Sequence, residues 1–120
     1  MATDDRSCSI HPYFSIHAGK QEEARGIIQE MVETTSAEDG CLYYGFSFDG
    51  DEAHCREAYA DADAMLVHLG NAGELIGRLL EVADLTRLEV HGPADEIDKL
   101  RGPLADLNPH YFALEYGFRN

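Results

Sequence analysis

Apolar and polar side chains alternate over residues 8–16, near the start of the chain. Ile10, Phe14 and Ile16 fall on one side, and polar side chains fall on the other. This period of two predicts a half-buried strand. Over residues 21–36 the apolar side chains recur at helical spacing instead and form a single stripe, which predicts an amphipathic helix.

Residues 41–59 have the pattern of a β-hairpin. Two strand-like runs flank an Asp-Gly-Asp-Glu sequence, which is a strong turn signal. If Gly and the second Asp are the central turn residues, Tyr44 lies opposite Glu57, and Leu42 lies opposite Tyr59. A slip of one residue would exchange the two faces, so this pairing depends on the turn.

The second half of the chain repeats the alternation of helix and strand. Asp61 or Asp63 can cap a helix, which Asn71-Ala72-Gly73 interrupts, so we expect two short helices or one kinked helix. A strand follows over residues 85–91, then a helix that begins near a proline, and then a fifth strand over residues 111–118 with alternating apolar side chains.

The predicted order is β-α-β-β-α-β followed by one more helix and strand. The first six elements match a ferredoxin-like split βαβ fold of the α+β class. The length of 120 residues predicts one domain, 1–120, with a core over about 8–92 and an extension over 93–120. Helices on one face leave the other face of the sheet uncovered, and a second copy of the chain would cover it.

Composition and charge exclude several classes of function. The net charge of −14 disfavours nucleic acid and anionic membrane surfaces as partners. We find neither a secretory signal nor an apolar run of membrane-spanning length. The three cysteines, Cys8, Cys41 and Cys55, have no C-x-x-C spacing. Reduced thiols in a cytoplasmic protein fit them best.

The histidines of the first strand are candidate metal ligands by residue type, but their spacing argues against a site. His11, Tyr13 and His17 share one face of that strand, and His91 could join them. However, His11 and His17 are about 20 Å apart along an extended chain. We therefore predict no metal site. Dinucleotide, P-loop and nucleophile-elbow signatures are absent, so no cofactor is predicted either.

Three short motifs occur in a characteristic order along the chain. They are Gly19-Lys20 after the first strand, Glu38-Asp39-Gly40-Cys41-Leu42-Tyr43-Tyr44 at the second strand, and Glu57, Tyr59, Asp61 and His68 at the joint between the third strand and its helix. With these three motifs in this order, the chain resembles the antibiotic biosynthesis monooxygenase-like family over about residues 8–92. The extension over residues 93–120 looks like one seen in some relatives.

The resemblance implies a homodimeric α+β barrel with a cavity between sheet and helices in each subunit. Some members of the family oxidise aromatic polyketides or quinols without flavin, metal or haem. A haem-degrading branch uses an Asn, a His and a Trp. This chain has no Trp and no Asn in its first strand, so it departs from that branch.

The resemblance also indicates candidate site residues. His68 matches the helix histidine and is the candidate base, since imidazole titrates near neutral pH. Glu57 is the candidate second catalytic residue, although a structural hydrogen bond to a tyrosine such as Tyr44 would also explain it. Tyr44, Tyr59 and Asn71 are the candidates for substrate binding, with core packing as the alternative for the tyrosines.

The predicted function is that of a cofactor-independent monooxygenase-like protein acting on a small aromatic or quinol-type substrate. The alternative is a non-catalytic dimer that binds a small molecule in the same cavity. An enclosed pocket with His68 and Glu57 converging would favour the enzyme. A cavity filled by Tyr44, Tyr59 and Phe46 would favour a structural or binding role.

Overall fold

The computed structural model describes residues 2–120 and contains five strands and three helices in an α+β arrangement. The elements, in chain order, are β1 (Cys8–Ile16), α1 (Gln21–Thr35), β2 (Cys41–Asp49), β3 (Glu52–Tyr59), α2 (Ala62–Leu79), β4 (Ala83–Gly92), α3 (Ala94–Arg101), a 3-10 turn (Ala105–Leu107) and β5 (His110–Ala113). The predicted ferredoxin-like order with an added helix and strand is confirmed.

The strands form one sheet in the order β2-β3-β1-β4-β5. All neighbours are antiparallel except β4 and β5, which are parallel. The predicted pairing of Tyr44 with Glu57 is confirmed. The predicted pairing of Leu42 with Tyr59 is wrong, because the register shifts between Cys41 and Tyr43 and places Cys41 opposite Tyr59. An irregularity of this kind adds a residue to one strand, and period-two counting does not detect it.

Helix α2 is continuous over 18 residues, so the predicted alternative of two short helices separated at Asn71-Ala72-Gly73 is wrong. Ala72 is fully buried, so packing of the helix onto the sheet offsets the weak helix propensity of Asn and Gly. Of the two candidate caps, Asp61 is the one used. Its side chain accepts a hydrogen bond from the backbone N–H of Ala64 at 2.9 Å.

Strand β5 is shorter than predicted. Its pairing with β4 ends where Ala113 lies beside Gly92. After Gly92 the chain turns into α3 through Pro93, which has no N–H to donate. Residues beyond Ala113 therefore lack a neighbouring strand to pair with. Within the described residues, the remainder is held by three other contacts: the backbone N–H of Leu114 donates to the carbonyl of Gly92, an isolated antiparallel bridge joins Ala2 to Tyr116, and Arg119 Nε lies 3.6 Å from Asp5 Oδ1.

The core lies between the helices and one face of the sheet. One cluster of buried side chains joins β1, β3 and β4 to α2 and α3 and includes Tyr59, Met65 and Val90. A second cluster joins the other end of the sheet to α1 and the end of α2, and it includes Phe14 and Met31. The site described below lies where these clusters meet. No helix among residues 2–120 is long and apolar enough to cross a membrane.

Candidate functional site

Strand β3 places a carboxylate in the middle of an apolar row. Ala53, Cys55, Glu57 and Tyr59 alternate onto the helix-covered face, and all four are buried. Glu57 is only 5% exposed, and a carboxylate at this depth needs polar partners. Tyr59, two residues along the same face, donates its hydroxyl to Glu57 Oε1 at 2.6 Å.

Helix α2 brings a histidine to the same place. Met65, His68 and Ala72 follow helical spacing and form the buried stripe of this helix. His68 is 1% exposed. Its Nε2 atom lies 3.4 Å from Glu57 Oε1, so the two candidate catalytic residues converge.

A third ionisable group completes the cluster. Glu38 lies in the turn between α1 and β2, and its Oε2 atom is 3.1 Å from His68 Nδ1. The Glu38 side chain is only 6% exposed. An ionised carboxylate on Nδ1 favours the tautomer with its proton on that nitrogen, which leaves Nε2 free to accept a proton. Glu38 was not among the predicted catalytic residues, although its place in the acidic motif before β2 was the available signal.

Burial governs the titration of the groups around His68. Burial raises the pKa of Glu57 above its ordinary value, although hydrogen bonding from Tyr59 and the nearby His68 act in the opposite direction. Burial also raises the pKa of Tyr44 and of Tyr59, and the neighbouring Glu57 adds to both shifts. Both phenols therefore stay protonated and act only as neutral polar groups.

An apolar cavity of about 60 Å³ lies next to this cluster. Its polar lining consists of three side chains at one end, Tyr44, Glu57 and His68. The remaining lining residues are Ile10, Pro12, Phe14, Met31, Phe46, Leu69, Ile76, Leu80, Leu85, Leu88 and Leu107. This lining suits a mostly apolar molecule that presents one polar group to His68.

Comparison with known proteins identifies the family of the chain. The family model described as antibiotic biosynthesis monooxygenase matches residues 9–73, more than half of the chain. The chain belongs to the antibiotic biosynthesis monooxygenase family. No curated protein sequence matched it.

Solved structures of similar fold agree with that assignment. MupZ from Pseudomonas fluorescens is 48% identical, with a TM-score of 0.91 over 96% of this chain and 95% of that chain. Rv0793 from Mycobacterium tuberculosis is 28% identical, with a TM-score of 0.63 over 75% of this chain and 97% of that chain. A candidate antibiotic biosynthesis monooxygenase from Caulobacter crescentus CB15 is 16% identical, with a TM-score of 0.66 over 72% of this chain and 88% of that chain, and it shows the fold alone.

The region matched by the monooxygenase family model contains every polar residue of the cavity. Tyr44, Glu57 and His68 all lie within residues 9–73. Five of the apolar lining residues lie beyond this region: Ile76, Leu80, Leu85, Leu88 and Leu107. The family segment therefore carries the ionisable end of the cavity, whereas much of the apolar wall comes from the later part of the chain.

The three predicted substrate-binding residues occupy three different places. Tyr44 lines the cavity, and its ring centroid is 5.4 Å from that of His68. Tyr59 is fully buried behind Glu57 and does not line the cavity. Asn71 lies on the exposed side of α2, in an open groove that also contains Glu38, with its Nδ2 atom 3.5 Å from Glu38 Oε2. Of the three, only Tyr44 is placed to touch a molecule in the cavity.

The histidines of β1 do not converge on a common ligand position. On the outer face of the sheet, the His11 ring stacks on that of His54 at a centroid distance of 5.9 Å and contacts the tilted ring of His91 at 4.5 Å. His17 contacts Asp84 instead. Within residues 2–120, no group of three or more His, Cys, Asp and Glu side chains is arranged to hold a metal ion.

Proposed function

We propose that this protein is a cofactor-independent monooxygenase of the family's type, acting on a small aromatic or quinol-type substrate. The observation that carries the proposal is the position of His68. It is held between Glu38 and Glu57 at the polar end of an otherwise apolar cavity. A base with two oriented partners, next to a space for an apolar molecule, is an arrangement suited to deprotonating a bound hydroxyl group.

The first step is a proton transfer. The substrate enters with its aromatic hydroxyl toward His68, and Nε2 accepts the hydroxyl proton. Glu38, which accepts a hydrogen bond from Nδ1, holds the imidazole in the required tautomer and stabilises the positive charge that forms on it. Glu57 lies 3.4 Å from Nε2 and adds to that stabilisation when it is ionised. Because the site is nearly dry, these interactions are stronger than they would be in water.

The second step uses electrons from the substrate. An electron-rich phenolate can reduce dioxygen directly, and the resulting radicals combine to form a carbon–oxygen bond. For a ring carbon that carries two hydrogens, loss of water from the peroxide then gives a ketone. The overall change is R₂CH₂ + O₂ → R₂C=O + H₂O. All four electrons come from the substrate carbon, so this reaction requires no external reductant.

Tyr44 and Tyr59 serve this reaction in different ways. The ring of Tyr44 forms part of the cavity wall beside His68, where it can pack against an aromatic substrate. Tyr59 acts through Glu57, since its hydroxyl donates to Glu57 Oε1. We therefore assign Tyr44 to substrate binding and Tyr59 to positioning, and we assign Asn71 no contact with the substrate.

We further propose that the protein functions as a homodimer in the cytoplasm. The outer face of the sheet, which includes the neighbouring rings of His11 and His91, has no helix packed on it among the described residues. Large apolar side chains are exposed in the last segment, and Tyr116 and Phe118 are 73% and 77% exposed. A second copy would cover such surface. Free thiols at Cys8, Cys41 and Cys55 suit a reducing compartment.

A non-catalytic binding dimer is the second candidate, because the aromatic side chains of Tyr44 and Phe46 take up part of the cavity. The volume of about 60 Å³ is well below the ~150 Å³ of an engineered cavity that binds benzene. A substrate can therefore enter only by moving side chains or by extending out of the cavity. A binding protein would hold its ligand without consuming oxygen.

Oxygen uptake over a panel of quinols and anthrones separates the two candidates. The enzyme would consume one O₂ for each molecule oxidised, and the product would carry one atom from ¹⁸O₂. Saturable calorimetric binding of the same compounds, with oxygen uptake no faster than in protein-free buffer, would support the binding protein and contradict the oxygenase.

A further inference from the structure

We propose that Leu107, in the C-terminal extension, forms the mouth of the cavity and is a specificity-determining residue that selects substrates with an apolar tail. This inference rests on the proposed function in placing the substrate hydroxyl at His68. It adds the shape of the rest of the molecule. The hydroxyl-bearing part of the ring occupies the cavity, and an alkyl substituent extends outward past Leu107.

Exposure of the lining residues locates the mouth. Most of the side chains that line the cavity are buried or half-buried. Leu80 and Leu107 are the exposed ones, with exposed fractions of 38% and 42%. His68 and Glu57, at the polar end, are 1% and 5% exposed. The cavity therefore opens between the end of α2 and the 3-10 turn Ala105–Leu107 and is closed at its ionisable end.

The extension holds Leu107 firmly in this place. Leu104, three residues earlier, is 2% exposed and packs in the core with Ile97 and Leu100 of α3. The backbone N–H of Leu107 donates to the carbonyl of Leu104 at 3.0 Å. Asn108, with a φ of 51°, then ends the turn in the left-handed conformation. A side chain fixed by a buried neighbour can restrict what passes it.

The volume of the cavity determines the class of substrate. With about 60 Å³ available, the cavity is smaller than the ~150 Å³ of one that binds benzene, so any aromatic substrate must extend through the mouth. The two exposed side chains at the mouth are both leucines. The exit is therefore apolar and would favour an alkyl or similar hydrocarbon chain over a charged group. Leu107 lies outside residues 9–73, which the family model matches.

A series of 4-alkylphenols, from phenol to 4-hexylphenol, tests the proposal by isothermal titration calorimetry. Leu107→Asp introduces a charge at the mouth. Leu114→Asp is the matched control, because Leu114 lies in the same extension, is 39% exposed and does not line the cavity. Both changes are at exposed positions and alter the net charge equally, so both variants are expected to fold.

In the native protein and in Leu114→Asp, affinity should rise by about fourfold for each added methylene, since each is buried against apolar side chains. In Leu107→Asp the gain per methylene should fall for the longer chains, relative to Leu114→Asp. An equal gain per methylene in both variants would overturn the proposal, and so would failure of the native protein to bind any member. Failure of the oxygenase assignment would appear separately, in oxygen uptake, which this series does not measure.

Discussion

Packing alone does not explain why a carboxylate, Glu57, occupies its position. It occupies one place in an apolar row of β3, where a valine or leucine would fit the pattern. Burial raises its pKa, and the hydrogen bond from Tyr59 offsets only part of that cost. A protein that keeps a carboxyl group at such a position bears a cost in stability, which is typical of functional sites.

The raised pKa of Glu57 predicts a pH-dependent effect of Glu57→Gln. Because the folded-state pKa lies above the ordinary value of 4.5, the folded protein binds this proton more tightly than the unfolded chain does. The stabilisation is complete below the unfolded-state pKa and is lost as pH rises through the folded-state value. Native protein should therefore lose stability relative to Glu57→Gln as pH rises from 4.5, by at most about 1.4 kcal/mol per pH unit.

Urea denaturation of both proteins between pH 4.5 and pH 8 measures this difference. Gln keeps an oxygen that can accept the Tyr59 hydroxyl, so the comparison removes the titrating group and leaves that hydrogen bond in place. A difference in unfolding free energy that is constant with pH, or that changes in the opposite direction, would contradict the raised pKa.

Glu38→Gln should lower turnover and leave substrate binding largely unchanged. The variant loses the negative charge that fixes the tautomer of His68 and stabilises its protonated form. Loss of the carboxylate that orients a catalytic histidine costs roughly 10²–10⁴-fold in turnover. Since Glu38 does not line the cavity, KM should change by less than about threefold. Steady-state oxygen uptake, with Glu38→Asp as the conservative control, measures kcat and KM. A large rise in KM at constant kcat would contradict the orienting role of Glu38.

Sequence and resemblance predicted part of this cluster. His68 and Glu57 were both identified, and the structure brings them within 3.4 Å of each other. Glu38 could not be assigned in the same way, because its contact with His68 joins residues 30 positions apart and depends on how the turn before β2 is oriented. The alternation of β3 places Tyr59 on the correct face, but it does not tell which side chains on that face reach the cavity.

At the scale of elements, the approach of the α1–β2 turn to α2 is the most constrained feature. A Cβ atom added to Gly40 would lie 2.7 Å from the Cβ atom of Ala64, in the first turn of α2. That turn is also fixed by the Asp61 cap and by the hydrogen bond from the N–H of Ala60 to the carbonyl of Gly40. Neither the α1–β2 turn nor the first turn of α2 can move without disturbing the region that positions Glu38.

Gly40→Ala should consequently destabilise the protein by about 1–3 kcal/mol, the usual cost of overpacking. Gly26→Ala is the matched control, because Gly26 lies inside α1 and an added Cβ atom there meets nothing within 4 Å. That control should be more stable than the native protein by about 0.5–1 kcal/mol. Equal unfolding free energies for the two variants would contradict the close approach.

The order of elements followed from hydrophobic periodicity, and the exceptions have identifiable causes. The shift in register between Cys41 and Tyr43 changes a pairing without changing the apolar pattern. The continuity of α2 comes from tertiary packing, which overrides the local preference of Asn71 and Gly73. The early end of β5 follows from the end of its partner β4 at Gly92, which the sequence of β5 itself does not encode.

At the scale of the whole molecule, the exposed aromatic side chains at the C-terminus predict a contact between subunits. Tyr116 and Phe118 are 73% and 77% exposed. The double variant Tyr116→Ser/Phe118→Ser should raise the dissociation constant of the homodimer by at least about tenfold. The reason is that each aromatic side chain buries a large apolar surface in the proposed dimer.

Sedimentation equilibrium measures this effect directly. Val67→Ser is the control, because Val67 is 59% exposed on α2, on the side of the helices away from the sheet's outer face. A native mass near 13.3 kDa at all loading concentrations would contradict the dimer. An unchanged dissociation constant in the double variant would remove the C-terminal segment from the interface.

The comparison of native protein with His68→Gln and His68→Ala tests the central claim most directly. Oxygen uptake with the best quinol or anthrone substrate and the thermal midpoint are measured on the same preparations. If His68 is the base, both variants lose turnover by roughly 10²–10⁴-fold, and His68→Gln, which keeps a polar group between Glu38 and Glu57, retains a midpoint close to that of the native protein. Full turnover in either variant, or a loss of turnover that appears only where the midpoint collapses, would contradict a catalytic role for His68.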